Sequence, residues 1–249
     1  MFESIIKFKT NNVIIEDKSL YPIPTKLNIP DWFKELKYSI DNKTIKGCIP
    51  FLETLTSGYI LKMPIDYHIV HNKIVENERI TRFETSPTNL PPSVAVKTNI
   101  NYQGKNDFHS TNQLGNKCPF NQKNKNLPFH KVLNPWVIET PPGYSCLFLP
   151  PLNNADDRFS IIPGIVDTDT FENEINFPFI VNGDKYPILE STIKVGTPYV
   201  QVIPFKRDNW KMKIKSKTSD QTKIKNMWGL QFINRYKERI FNPGKTSWT

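Results

Sequence analysis

The chain is poor in cysteine, in glycine and in long apolar runs. Its three cysteines, Cys48, Cys118 and Cys146, lie far apart and form no C-x-x-C pair. A sparse, odd set supplies no disulfide framework and points to a reducing compartment. No stretch approaches the roughly 18 consecutive apolar residues of a membrane-spanning helix, and the start of the chain carries no basic region followed by an apolar run, so no secretory signal is expected. Also missing are a G-x-x-x-x-G-K-[ST] phosphate loop and a G-x-S-x-G nucleophile elbow. Ten glycines stand against 21 prolines, which favours kinked strands and fixed loops over flexible linkers.

What is present is apolar enough to bury a core and unevenly charged. The 249 residues are 38% hydrophobic and 12% aromatic, with a net charge of +9. Residues 206–249 hold 12 lysines and arginines against three acids, whereas the remaining residues hold 21 of each. The whole basic excess therefore lies at the C-terminal end. Lys206, Arg207, Lys211, Lys213 and Lys215 form its first patch, mixed with Trp210. Basic groups around an indole suit contact with nucleic acid or an acidic partner; the plainer reading is a solvated lysine face beside a strand exit.

Strand signals concentrate between Thr140 and Phe205. Tyr144–Leu149 is an apolar run bounded by Pro-Pro-Gly and Pro-Pro, which marks a buried strand. Residues 161–166 are interrupted by Pro163 and Gly164 and should bend there. Ile175, Phe177, Phe179 and Val181 recur with a period of two, and Pro178 among them implies an edge strand or a bulge. Residues 199–205 read as the last strand of this core. Upstream, residues 3–9 and 12–16 read as a hairpin, 31–38 and 50–56 as short helices, 59–63 and 67–70 as strands, 78–84 as half of a hairpin and 94–102 as another strand. Residues 103–127 are polar and read as a long loop. Lysines at 211, 213, 215 and 217 alternate with Met212, Ile214 and Ser216, a strand pattern with one basic face, and 221–241 reads as a helix stopped by Asn-Pro-Gly.

The expected class is mainly β, a bent barrel or β-clip-like core with short N-terminal helices and a C-terminal helix. The expected divisions are an N-terminal β/α subregion at 1–128, a β core at 129–210 and a basic C-terminal extension at 211–249.

The order P-P-G-Y before an apolar strand, G-I-V-D followed by an aromatic, and G-x-P-x-x-Q-x-I resembles the core of the dUTPase and dCTP-deaminase superfamily. That resemblance implies a β-clip fold, with Asp167 as the water-orienting carboxylate, Phe171 as the residue stacking on a sugar, Gln201 as the strand glutamine, and Gly164 and Gly196 as turn glycines. It would make Mg²⁺ the cofactor of a nucleotide hydrolase; no other cofactor is expected. The chain departs from the pattern in three places. Phe171 falls one residue late and lacks a phenol hydroxyl. Pro150-Pro151-Leu152-Asn153-Asn154 stands where a Pro-Arg-Ser-Gly motif belongs, and the C-terminal end is rich in lysine and aromatics instead of glycine.

A second resemblance spans more of the chain. I-P-D-W-F-K, G-C-I-P-F-L-E-T-L-T-S-G-Y-I, N-P-W-V-I-E-T-P-P-G-Y-S, G-I-V-D-T-D-T-F and G-T-P-Y-V-Q-V-I-P-F-K-R-D-N-W, between Ile29 and Trp210, are similar to an uncharacterised family of marine tailed phages and bacteria. It implies a phage-type origin, in the cytoplasm of an infected cell or in the virion.

Candidate chemistry is thin. Asp167 and Asp169 flank Thr168 in a turn, where they either hold a water or Mg²⁺ or bond nearby backbone N–H groups. His68, His71, His109 and His130 suggest a metal site, but Asp66-x-His68 has the reverse order of an iron-oxygenase motif and His68-x-x-His71 straddles the faces of a strand; no metal ligand set is expected. The leading expectation is a non-enzymatic binding or assembly module acting through its β core and C-terminal segment, as a homo-oligomer or with a virion or host protein, with nucleic acid as a further partner of the basic segment and no membrane. The alternatives are a dUTPase-like pyrophosphatase using Asp167 and a metal-dependent oxygenase on a double-stranded β-helix.

Overall fold

The computed structural model describes residues 4–10, 16–39, 43–85, 108–109, 111–132, 134–217 and Trp248. The strand expected at 94–102 and the helix expected at 221–241 lie outside them, as does most of the second half of the N-terminal hairpin. Within the described residues the strands are β1 (Lys7–Lys9), β2 (Ile23–Pro24), β3 (Tyr59–Lys62), β4 (Tyr67–Val75), β5 (Glu78–Thr85), β6 (Phe108–His109), β7 (Phe129–Val132), β8 (Val137–Glu139), β9 (Tyr144–Leu149), β10 (Phe159–Ile161), β11 (Gly164–Val166), β12 (Phe177–Val181), β13 (Leu189–Ile193) and β14 (Pro198–Lys206). The protein is mainly β. Its strands form four antiparallel sheets, ordered β11-β9-β14-β3-β2, β10-β12-β7-β6, β13-β4-β5 and β1-β8, and none of these closes into a barrel among the described residues.

Contacts divide the chain into two units, Met1–Ile23 with Gly58–Lys206, and Pro24–Ser57 with Arg207–Thr249. The first holds the sheets. Strands from both sides of residue 128 share them: β3 pairs with β14, β4 with β13, and β1 with β8. The core of this unit lies where the β9–β14 pair meets β12. Phe148 and Phe177 have ring centroids 5.3 Å apart, and Phe177 meets Tyr199 edge-on at 5.8 Å. Phe159 stacks on Phe179 at 4.9 Å. Each of these rings comes from an inward-facing position of its strand, as the period of two requires.

Proline and glycine place the joints. The chain leaves β10 at Ile162-Pro163 and enters β11, which belongs to a different sheet, so the interruption at 161–166 is a change of partner strand. Pro178 does not lie on an edge: β12 sits between β10 and β7. Ile162 N donates to the Pro178 carbonyl at 2.9 Å. A residue in an antiparallel pair turns its N–H and C=O toward the same neighbour, so the missing N–H of Pro178 faces Ile162, just past the end of β10, where no ladder bond is lost. Gly58, at φ +73°, lies so close to β14 that an added Cβ would stand 2.1 Å from the Val202 carbonyl oxygen. The β4–β5 hairpin turns through Glu76 (φ 49°) and Asn77 (φ 69°), the pair of left-handed residues that matches strand twist.

Two further expectations are corrected, and a third is left open. Lys7–Lys9 pairs with β8, across about 130 residues of sequence, while the segment expected to complete its hairpin lies mostly outside the described residues. Residues 103–127 are not a plain loop: β6 and helices Thr111–Leu114 and Pro119–Lys123 lie within them. Asn124, buried there, bonds the Leu127 and Pro128 carbonyls and accepts the Val181 N–H at 2.9 Å. A side-chain amide thus replaces the next ladder partner of β12. Residues 207–217 contain no strand; their alternation is real, but no described strand pairs with them.

In the second unit, helices Asp31–Glu35 and Ile49–Thr54 carry an aromatic cluster. Phe33 is buried and stacks on Phe51 at 5.7 Å, while Trp32 covers both edge-on and stays partly exposed. The helix starting at Asp31 stops at Glu35, short of residue 38. Among the described residues no helix is long and apolar enough to cross a membrane.

Candidate recognition cleft and basic arm

Two sequence motifs meet at one end of β9. Pro141-Pro142-Gly143-Tyr144 closes a turn in which Tyr144 N donates to the Pro141 carbonyl and Gly143 sits at φ +85°; Pro at the second position and Gly at the third are what such a turn selects. The Gly143 N–H donates to Asp169 Oδ2 at 2.8 Å. Ser145 Oγ donates to Asp167 Oδ1 at 2.6 Å. Between them, the Thr140 and Thr168 hydroxyls share a hydrogen bond of 2.7 Å, and Thr140 N donates to the Thr168 carbonyl. Thr168 Oγ1 also lies 3.3 Å from Cys146 Sγ, whose thiol is pushed up to about 11 by burial. The segment 167–171 is therefore stapled to the 140–146 segment by three side chains in a row. Its own turn is closed by Thr170 N and Phe171 N, both donating to the Asp167 carbonyl.

This stapled turn forms one wall of an open cleft of about 580 Å³. Thr168, Asp169, Thr170 and Phe171 line that wall, Glu172 and Glu174 extend it, and Lys9, Thr10, Val137 and Glu139 of the β1–β8 pair line the other. Lys7 and Lys9 both bond Glu139, which holds its carboxyl down to about 2. Lys9 is thereby committed. Glu172 and Glu174 are exposed and form no ion pair among the described residues. The cleft therefore has a negative character, with Phe171 at its mouth, 39% exposed. Thr10 Oγ1, sealed from solvent, has no hydrogen-bond partner among the described residues.

The residues singled out from the sequence do not converge. Asp167 and Phe171 share the turn, but Asp167 spends its carboxylate on Ser145 and is not among the residues lining the cleft. Gln201 is fully buried on β14, opposite Leu149, and accepts the Leu152 N–H at 2.9 Å. It thus sits at the far end of β9 from Ser145, about 13 Å along the strand at 3.3 Å per residue. Gly196, at φ +82°, forms the β13–β14 turn and donates its N–H to the Met63 carbonyl. Gly164 opens the exposed edge strand β11. Buried Asp66 receives Lys194 Nζ at 2.9 Å and Val195 N at 2.7 Å, so it braces the same β13–β14 turn. His68 is half-exposed beside Glu190 and Thr192, whereas His71 is fully buried. No group of three or more His, Cys, Asp or Glu side chains is placed to hold a metal ion among the described residues.

Past β14 the chain continues through residues 207–217 as an arm without helix or strand, exposed throughout. Trp210 is 91% exposed, and Met212 and Ile214 are each 85% exposed. Lys211, Lys213 and Lys215 alternate with them, are exposed, and form no ion pair among the described residues. Lys206 and Arg207 begin this stretch, Lys206 still paired in β14 opposite Tyr144.

The cleft's partner residues were not evident from sequence. Glu172 and Glu174 stand in an ordinary polar stretch, and the β1 wall arrives only through a long-range pairing. The one available signal was the doubled hydroxyl pattern of T-P-P-G-Y-S and D-T-D-T, which is the staple itself. No protein-family model matches the chain, and no curated protein matches it.

Proposed function

We propose that the chain is a non-enzymatic binding or assembly module of phage type, acting in the infected cell's cytoplasm or in the virion, and that it attaches to a macromolecular partner through the arm at 207–217. The observation that carries this reading is the arm itself: three large apolar side chains in alternation with lysines, all of them in water. Contiguous exposed apolar surface rimmed by charge is characteristic of interaction sites. A segment of alternating character that is free of helix can lie along a groove or a sheet edge, with one face given to the partner. The motif set between Ile29 and Trp210 supports the phage origin. The engagement of Asp167 by Ser145, and the distance of Gln201 from it, weigh toward binding rather than hydrolysis. In this reading no cofactor is needed.

The test replaces Trp210, Met212 and Ile214 together by alanine. Because these side chains bury almost nothing in the free chain, the melting temperature should stay within about 1 °C of the parent, under the roughly 2–4 °C shift of a single lost kcal/mol in a chain of this length. Association, measured by size-exclusion chromatography with light scattering, should weaken. A large drop in melting temperature would show that the arm packs against its own chain, and the reading would fall.

A further inference from the structure

We propose that the arm's partner is a second copy of this chain, and that the arm's seat is the acidic cleft between the 168–174 segment and the β1–β8 pair. This rests on the reading of the arm as a binding segment and adds to it the place and identity of the partner.

Charge complementarity leads to this pairing. The arm offers Lys211, Lys213 and Lys215 at every second position, and the cleft offers Glu172 and Glu174 at the same spacing, with Asp169 beside them on the stapled turn. Neither the lysines nor the two glutamates form an ion pair within the described residues of one copy. Among the described residues, both halves of the contact are thus without an ion-pair partner. Apolar complementarity points the same way. Phe171 stands exposed at the cleft mouth, and the arm's Trp210 is the most exposed large apolar side chain among the described residues. Aromatic pairs gain from edge or offset contact, and an indole is a frequent anchor at interfaces.

Chain geometry favours reciprocal exchange. Lys206, the last residue of β14, is paired with Tyr144. Tyr144 belongs to the Pro141–Tyr144 turn, whose Gly143 holds Asp169 at the cleft wall. β14 therefore ends at the end of the sheet where the cleft lies. From there to Lys217 an extended chain reaches at most about 40 Å. Two copies brought together at that end can each place an arm in the other's cleft, an isologous contact of the kind that closes a dimer.

The experiment uses the full chain and two charge-reversed forms. One carries Lys211→Glu, Lys213→Glu and Lys215→Glu; the other carries Glu172→Lys and Glu174→Lys. Sedimentation velocity reads self-association of each alone and of their equimolar mixture, and binding to a fluorescent single-stranded oligonucleotide is measured alongside. The inference expects the parent to dimerise, each variant alone to associate at least about tenfold more weakly, and the mixture to recover the dimer, since an acidic arm then meets a basic cleft and a basic arm an acidic one. Circular dichroism melting of each variant excludes unfolding as the cause. If the arm variant loses association and the cleft variant keeps it, the cleft is not the seat and the inference is overturned, while the arm remains a binding segment. A monomeric parent whose arm instead binds the oligonucleotide overturns it in favour of nucleic acid. If no variant changes any association, both the inference and the reading beneath it fail.

Discussion

Acid should loosen this fold through one histidine before its carboxylates titrate. His71 lies on β4, opposite Leu189 of β13 and Thr81 of β5, and is completely shielded from water. Burial in the first place, and the positive charge of Lys125 in the second, hold its imidazole down to about 4. In the unfolded chain the same group takes a proton near 6.5. Its folded pKa is depressed, so between those two values the unfolded state binds the extra proton and stability falls as pH falls. Above about pH 7 both states are neutral and the effect is absent. At pH 5 the loss comes to about 2 kcal/mol, and at pH 4 it approaches about 3 kcal/mol, at roughly 1.4 kcal/mol per unit of difference. With a urea slope of about 2 kcal/mol per molar, the unfolding midpoint should drop by about 1 M between pH 8 and pH 5. The assay is urea unfolding by circular dichroism across that range, repeated on His71→Leu, which has no proton to take. The variant should show a flatter profile than the parent whatever its absolute stability. A parent midpoint that does not move between pH 8 and pH 5, or an unchanged slope in the leucine variant, would refute the reasoning.

Other consequences follow from single contacts. Gly58→Ala combines a left-handed backbone, costing about 1–2 kcal/mol for an L side chain, with a Cβ driven against the Val202 carbonyl; its loss of stability in urea should exceed that figure. Ser145→Ala removes the hydroxyl that donates to Asp167 and should cost about 1 kcal/mol, since the carboxylate is exposed; a neutral result would mean that the staple does not hold the turn. In native protein, Ellman's reagent should modify exposed Cys48 quickly and Cys146 only on unfolding, because burial raises the Cys146 thiol to about 11.

Local punctuation made some elements readable to the residue. Tyr144–Leu149 is bounded by prolines on both sides and is β9 as it stands; the 78–84 segment and the turn before it became the β4–β5 hairpin, because positive-φ residues at Glu76 and Asn77 suit only that turn. Misreadings arose where a local rule depends on a neighbour. Pro178 reads as an edge or bulge signal because a missing N–H usually costs a ladder bond, yet the partner strand ends just where that N–H would point. The lysine alternation at 211–217 looked like a strand because period two is all that sequence offers; whether a pairing partner exists is a tertiary fact. The polar residues of 103–127 read as loop, although Asn124 is an internal cross-link whose amide stands in for a strand. As to the site, the turn at 167–171 was visible in the G-I-V-D-T-D-T-F motif, but its use was not. Ser145 and Gly143 engage the two aspartates, and the carboxylates of Glu172 and Glu174, without an ion pair among the described residues, stand a few residues further on, opposite a strand from the far end of the chain.

Where the arm goes is open to direct measurement. Equal amounts of ¹⁴N and ¹⁵N protein, mixed and treated with a zero-length carboxyl–amine cross-linker, should yield peptides joining Lys211, Lys213 or Lys215 to Glu172 or Glu174, with one partner light and the other heavy. Cross-links at those residues found only within one isotope, or none there at all, would contradict the proposed exchange of arms.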